Sequence, residues 1–181
     1  MKYQFEESGF TDKNYFPLSP NFRRNPKVFW VYHDNDCIPK WKNPGEAKLI
    51  NHYLSDVIQR FSPDGIGIVT PFAEQKKILI KEIKQGFDEF YVGQILVDTL
   101  HGFIGIEQDV IFLSLVIGPS MVKPDYNYLY KFIKINATRG TKEVYIFIYR
   151  VGFQESYGVF PDLNPAYQIP IAVGLQCLAD D

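Results

Sequence analysis

In "NATRGTKEVYIF", residues 136–147, Arg139 stands between a helix-like run and a strand-like one. A guanidinium is a planar, permanently charged fork that grips phosphate oxygens in pairs. Favourable interaction of a cation with a helix C-terminus is a sufficient account of the same residue. Two other polar segments interrupt apolar runs, "TPFAEQ" at 70–75 and "DTLHGFIGIEQD" at 98–109. Taken singly, Thr70 and Pro71 start a helix, and Gly102 and Gly105 permit a tight turn. "HDND", His33 to Asp36, has the residue types of a metal site, but a short acidic turn after a strand is commoner and no companion cluster accompanies it. His52 and His101 lack a nucleophile context such as G-x-S-x-G, and no metal site is expected. Lys76, Lys77, Lys81 and Lys84 read as the solvated face of a helix, with a phosphate track as the lesser alternative.

The elements that must position these residues are legible from periodicity. "VFWVYHD" is β-branched and aromatic, as a strand requires, and ends in the turn-rich "DNDCIPKWKNPG". From Pro44, apolar residues at Leu49, Ile50, Tyr53, Leu54, Val57, Ile58 and Phe61 recur three or four apart, which predicts a helix packed by one face. "IGIVT" is apolar without alternation, the pattern of a strand covered on both sides. A second helix is expected from about Phe72 to Gln85, stopped by Gly86. "QILVDTL" and "DVIFLSLVI" are two further strands. A helix through Tyr126, Leu129, Tyr130, Ile133 and Ala137 then leads to Arg139 and to a closing strand, "EVYIFIY". Strands separated by helices predict an open parallel α/β sheet. The expected organisation is an extended lead-in over 1–27, one α/β domain over 28–150, and an irregular extension over 151–181 with a weak strand at "IPIAVGL".

Composition bounds the function classes. A chain of 181 residues, 46% hydrophobic, is long enough for one domain with a real core. The formal net charge of −2 excludes a broad basic surface, so any nucleic-acid contact must come from a local track of lysine and arginine. Cys37 and Cys177 are too few and too far apart for a metal knuckle, which with the absence of a secretion signal at the N-terminus fits a reducing cytoplasm. No run approaches the ~18 apolar residues of a membrane helix, so no membrane partner is expected. Aromatics, 16% of the chain, lie mostly inside apolar runs and suit core packing.

Order and spacing carry more than any single segment. The succession "LSPNFRRNP", "NPGEA", "IGIVTPFAEQKK", "ILVDTLHGFIGIEQDVIFLSLV" and "INATRGTKEVYIF", over about residues 18 to 149, resembles the second RecA-like domain of superfamily 1 helicases. The branch resembled contains the nonsense-mediated-decay helicase and its DNA-acting relatives. The resemblance implies a RecA-like (P-loop NTPase-type) parallel sheet without its own phosphate loop. It also implies an arginine finger at Arg23, in the "NFR" that matches the family's "NYR", and a second at Arg139, in the "TRG" that matches "TRA". Both would stabilise charge on the γ-phosphate of ATP during transfer.

The family's loop T-x-x-G-F-Q-G-x-E-x-D is matched by Thr99, Gly102, Phe103, Gly105, Glu107 and Asp109, with Ile104 replacing the glutamine. Gly105 and Glu107 are implied at the nucleotide. Thr70, Pro71, Phe72, Thr99 and His101 are implied at the nucleic-acid strand. "NPGEA" is similar to N-x-x-E-A, where Glu46 is either a helix N-terminal residue favoured by the dipole, the reading preferred here, or a site residue. Asn136 stands where the family prefers small apolar residues, and Arg24 either supplements Arg23 or faces solvent.

Neither G-x-x-x-x-G-K-[ST] nor a magnesium-binding acidic strand end occurs in the sequence. On the resemblance, ATP and Mg²⁺ belong to a first RecA-like domain of the same polypeptide, and this chain alone hydrolyses nothing. The implied partners are that domain and single-stranded DNA or RNA, with 5′ to 3′ movement by analogy. The reading from another class is a RecA-like nucleic-acid- or protein-binding module without an ATP cycle. A small-molecule enzyme on a doubly wound sheet has only the fold class behind it.

Overall fold

The computed structural model describes residues 26–118 and 126–149. Five strands, β1 (Lys27–His33), β2 (Ile66–Thr70), β3 (Leu96–Thr99), β4 (Gln108–Ser114) and β5 (Gly140–Tyr149), form one sheet in the order β1-β5-β4-β2-β3. Every pairing is parallel. The helices are α1 (Pro44–Val57), α2 (Ala73–Gly86), the single turn α3 (Glu89–Val92) and α4 (Tyr126–Ala137). The open parallel α/β sheet expected from the sequence is therefore observed. Phe72 is the N-cap of α2 and Gly86 its last residue, one position along from the expected span, while α1 ends at Val57 and leaves Ile58 and Phe61 beyond it.

Apolar strands without alternation follow from burial on both faces. In β4, Val110 and Phe112 pack toward α1 and α2, and Ile111 and Leu113 pack toward Phe132 and Ile133 of α4. In β5, Tyr145 and Phe147 take the first side, and Val144, Ile146 and Ile148 the second. The aromatics form a row across the register: Phe29 opposite Tyr145, and Tyr145 opposite Phe112, with ring centroids 4.7 and 4.9 Å apart and planes within 17°. Tyr53 of α1 meets Phe147 edge-on at 5.5 Å. Offset stacks and edge contacts of this kind add to the area they bury.

At the amino end of β5, Arg60 donates to both Glu143 oxygens, at 2.8 and 3.0 Å, and to the Tyr145 hydroxyl at 3.0 Å. The hydroxyl in turn donates to Glu143 at 2.8 Å. Burial, reinforced by the neighbouring carboxylate, raises the Tyr145 phenol well above its ordinary range.

One glycine in β2 is required by close approach. A Cβ on Gly67 would lie 2.6 Å from Cε1 of Phe103 and 2.9 Å from Cδ1 of Ile111. Phe103, 1% exposed, thereby anchors the 99–109 loop against the middle of the sheet. Gly67→Ala is expected to cost about 1–3 kcal/mol, read as a lower urea midpoint at unchanged slope. A midpoint equal to wild type would show that the ring moves aside freely.

Candidate functional site

Each predicted site residue among the described ones falls on one of two opposite edges of the sheet. Thr70 ends β2, and Pro71 and Phe72 lead from it into α2. Thr99 ends β3, and His101 lies exposed on the 3₁₀ turn Leu100–Phe103 that follows. These five residues are at the carboxyl edge. The chain then crosses one face of the sheet, held by Phe103, and reaches the amino edge at Gly105, Glu107 and the start of β4. Arg139 lies on the same amino edge, because the segment entering a parallel strand is opposite the segments leaving its neighbours. The three polar segments therefore do not share one crevice at the carboxyl ends of the strands.

At the amino edge a backbone bond joins the two segments: Gln108 N–H donates to the Arg139 carbonyl at 2.9 Å. The Arg139 amide closes the end of α4 on the Asn136 carbonyl at 3.0 Å. The Arg139 side chain is half-exposed, and its guanidinium makes no ion pair with a described residue. Beside it an open hollow of about 620 Å³ is lined by Gly65, Glu107, Gln108, Asp109, Thr141 and Lys142. Thr141 donates to Asp109 at 3.1 Å and Lys142 at 2.9 Å, so one carboxylate holds the hydroxyl and the ammonium at the rim. Gly105, at φ 80 with open space around it, is required by backbone conformation rather than crowding. Ile104, in place of the family's glutamine, is 70% exposed.

The carboxyl edge rests on a buried polar network. Asn43 caps α1 by accepting the Glu46 N–H at 2.9 Å, the first half of a capping box. The return half comes from elsewhere, since the Asn43 N–H donates to Gln75 Oε1 at 2.8 Å. The Glu46 carboxylate is thereby released into the interior, where it is fully buried. It accepts from the Ser114 hydroxyl, from the Val116 N–H at 3.2 Å, and from His33 Nε2 at 2.8 Å. An ionised carboxylate only accepts, so His33 carries its proton on Nε2. Gln75 Nε2 completes the set by donating to the Ser114 hydroxyl and to the Asn43 carbonyl, both at 3.1 Å. His33, dismissed above as part of an acidic turn, and Glu46, taken as a helix-end residue, are thus the centre of a structural joint between β1, β4, α1 and α2.

That joint sets the entry of α2 and with it the "TPF" loop. Thr70 is fully buried, and its hydroxyl accepts the Phe72 N–H at 3.4 Å. Solvent-facing groups in this segment therefore come from Pro71 and Phe72. Lys76, expected to be solvated, pairs with Asp98 at 2.7 Å, while Lys77, Lys81 and Lys84 are exposed. Burial raises the Asp98 carboxyl, but the bonds from Lys76 and the Thr99 N–H outweigh it and hold the group below its ordinary value. The resulting stabilisation is complete above the unfolded-state value and is lost as pH falls through the lower folded one. Lys76→Met should flatten that acid limb of stability against pH, measured by thermal unfolding. An unchanged limb would assign the depression elsewhere.

Arg23 lies outside the described residues, as do Arg24 and the extension beyond Tyr149. No group of three or more potential metal-holding side chains occurs among the described residues, and no described helix is long and apolar enough to cross a membrane. Trp41, between Lys40 and Lys42 in the loop from β1 to α1, is 42% exposed, a feature that a turn-forming sequence does not announce.

An open five-stranded parallel sheet covered by helices on both faces is a doubly wound α/β domain. Residues 24–147 match the AAA domain family, and the chain belongs to it. Among solved structures, the Pyrococcus furiosus Hef helicase domain is similar at 16% identity with a TM-score of 0.41. The match covers 65% of this chain, which spans 28% of that one. No curated protein matches.

Proposed function

We propose that the chain is the second, C-terminal motor domain of an ATP-dependent nucleic-acid helicase or translocase. The observation that carries the reading is the division of the candidate residues between two edges. Arg139 and the Gly105–Glu107 segment share the amino edge with an open hollow of about 620 Å³, and the Thr70–Phe72 and Thr99–His101 segments share the other. A motor that couples a nucleotide cycle to a strand needs two such faces on one rigid body.

On this reading ATP and Mg²⁺ are held by a first RecA-like domain of the same polypeptide, whose phosphate loop faces the amino edge. Arg139, with Arg23 from the lead-in, neutralises charge developing on the γ-phosphate, and Glu107 orders the nucleotide sugar. The carboxyl edge holds single-stranded nucleic acid. Closure and reopening of the cleft between the domains then moves the strand in each cycle.

The test is ATP hydrolysis by the polypeptide that unites both domains, with and without single-stranded nucleic acid. Stimulation by the strand supports the motor. The exposed Ile104 favours a second reading, a strand-binding module whose nucleotide coupling has lapsed. Strand binding without stimulated hydrolysis would establish that reading and remove the first.

A further inference from the structure

We propose that Trp41 and Phe72 form a stacking platform for an unpaired base, an inference that rests on the strand-binding part of the reading above. The two rings lie parallel, with centroids 5.2 Å apart and planes 10° from coplanar. Phe72 caps α2 directly after Thr70 and Pro71, and Trp41 reaches it from the loop between β1 and α1. Phe72 backs one face of the indole, and Trp41 remains 42% exposed.

The backbone holds this arrangement at a cost. Ile38 N–H donates to the Lys42 carbonyl at 2.7 Å, and Lys42 N–H returns to the Ile38 carbonyl at 3.4 Å, closing a tight turn. Inside it Lys40 and Trp41 both take left-handed conformations, at φ 69 and 56. Side chains with a Cβ rarely adopt that region, and glycine or asparagine is the relaxed choice there. Lysine and tryptophan in those places are strain retained at a surface, in a turn that presents a large ring to solvent.

Charge selects the occupant. Lys40 is exposed and Lys42 half-exposed, one on each side of Trp41 in the chain. The loop carboxylate Asp36 accepts the Cys37 N–H, and Glu74 in the first turn of α2 is paired with Lys77. An exposed aromatic ring with a lysine on each side of it in the chain complements a base and its adjoining phosphates. It complements an apolar protein segment poorly. Single-strand binders combine these two elements, and stacking is indifferent to base identity.

The chain of residues 1–181 has two tryptophans, Trp41 and the half-buried Trp30 of β1, so emission reports on the platform. Titration with an oligothymidylate of about twelve nucleotides should quench that emission. Trp41→Ala should weaken binding about tenfold, while Trp41→Phe keeps most of it. An abasic oligomer of the same length should bind wild type and Trp41→Ala alike, and Lys40→Glu with Lys42→Glu should weaken both ligands. The same series on oligouridylate distinguishes DNA from RNA as the source of the base: a tenfold loss on either polymer supports the platform, and no loss on both overturns it. An equal loss on the abasic oligomer also overturns it. If Thr99→Ala with His101→Ala weakens binding and Trp41→Ala does not, the platform falls, the strand reading stands, and the patch passes to a protein partner. A wild-type chain that binds none of the oligomers removes both.

Discussion

Arg139→Ala, in the two-domain polypeptide of the proposed motor, is expected to lower strand-stimulated turnover of ATP by about a thousandfold or more. A loss of that size corresponds to about 4 kcal/mol of transition-state stabilisation. The competing account, a cation on the C-terminus of α4, is worth only about 0.3–1 kcal/mol and acts on stability rather than turnover. The magnitudes therefore separate the two roles in one variant. Because the interaction is made with charge that develops during transfer, the loss should fall on kcat and leave the KM for ATP within a few fold. Arg139→Lys should recover little, since a single ammonium does not reproduce the fork. The thermal midpoint should barely move, as the guanidinium makes no ion pair with a described residue. Near-wild-type turnover in Arg139→Ala would defeat the assignment.

The largest effect on stability is expected at Glu46. Glu46→Ala removes the acceptor shared by Ser114, the Val116 N–H and His33, all of them buried. Each buried donor left without an acceptor costs about 1–3 kcal/mol, so the three together take a large share of the roughly 5–15 kcal/mol that holds a domain together. Glu46→Gln should cost much less. Its carbonyl still accepts from Ser114 and Val116, and its amide can donate to His33 Nε2 if the imidazole proton moves to Nδ1, which has no partner among the described residues. Urea unfolding of the three proteins measures the difference. A Glu46→Ala midpoint within about 1 kcal/mol of wild type would mean that water replaces the carboxylate at no cost.

Several features of the fold are local and were readable in advance. The continuous apolar runs in β2, β4 and β5 follow from helices on both faces, and the period of α1 follows from one buried stripe, Ala47, Ile50, Leu54 and Val57. The short α3 was not anticipated, because one turn is too brief to show a period. The buried joint was equally hidden. Nothing local distinguishes a glutamate that completes its own capping box from one whose place is taken by a glutamine 29 positions further along the chain.

By itself, the order of residues determined the parallel α/β class, the approximate element spans, and a set of loop residues of the right types for phosphate, sugar and strand. Those properties depend on side-chain period and chemistry, which are written along the chain. Only the tertiary structure decided which edge each loop occupies, that Thr70 turns inward, and that Trp41 lies on Phe72. Each of these depends on strand order and on contacts between segments distant in sequence, as Trp41 and Phe72 are at 31 positions apart, and neither has a local signature. Arg139 and Glu107 meet the amino edge because the chain crosses the sheet between Thr99 and Gln108, carried there by Phe103 packed over Gly67.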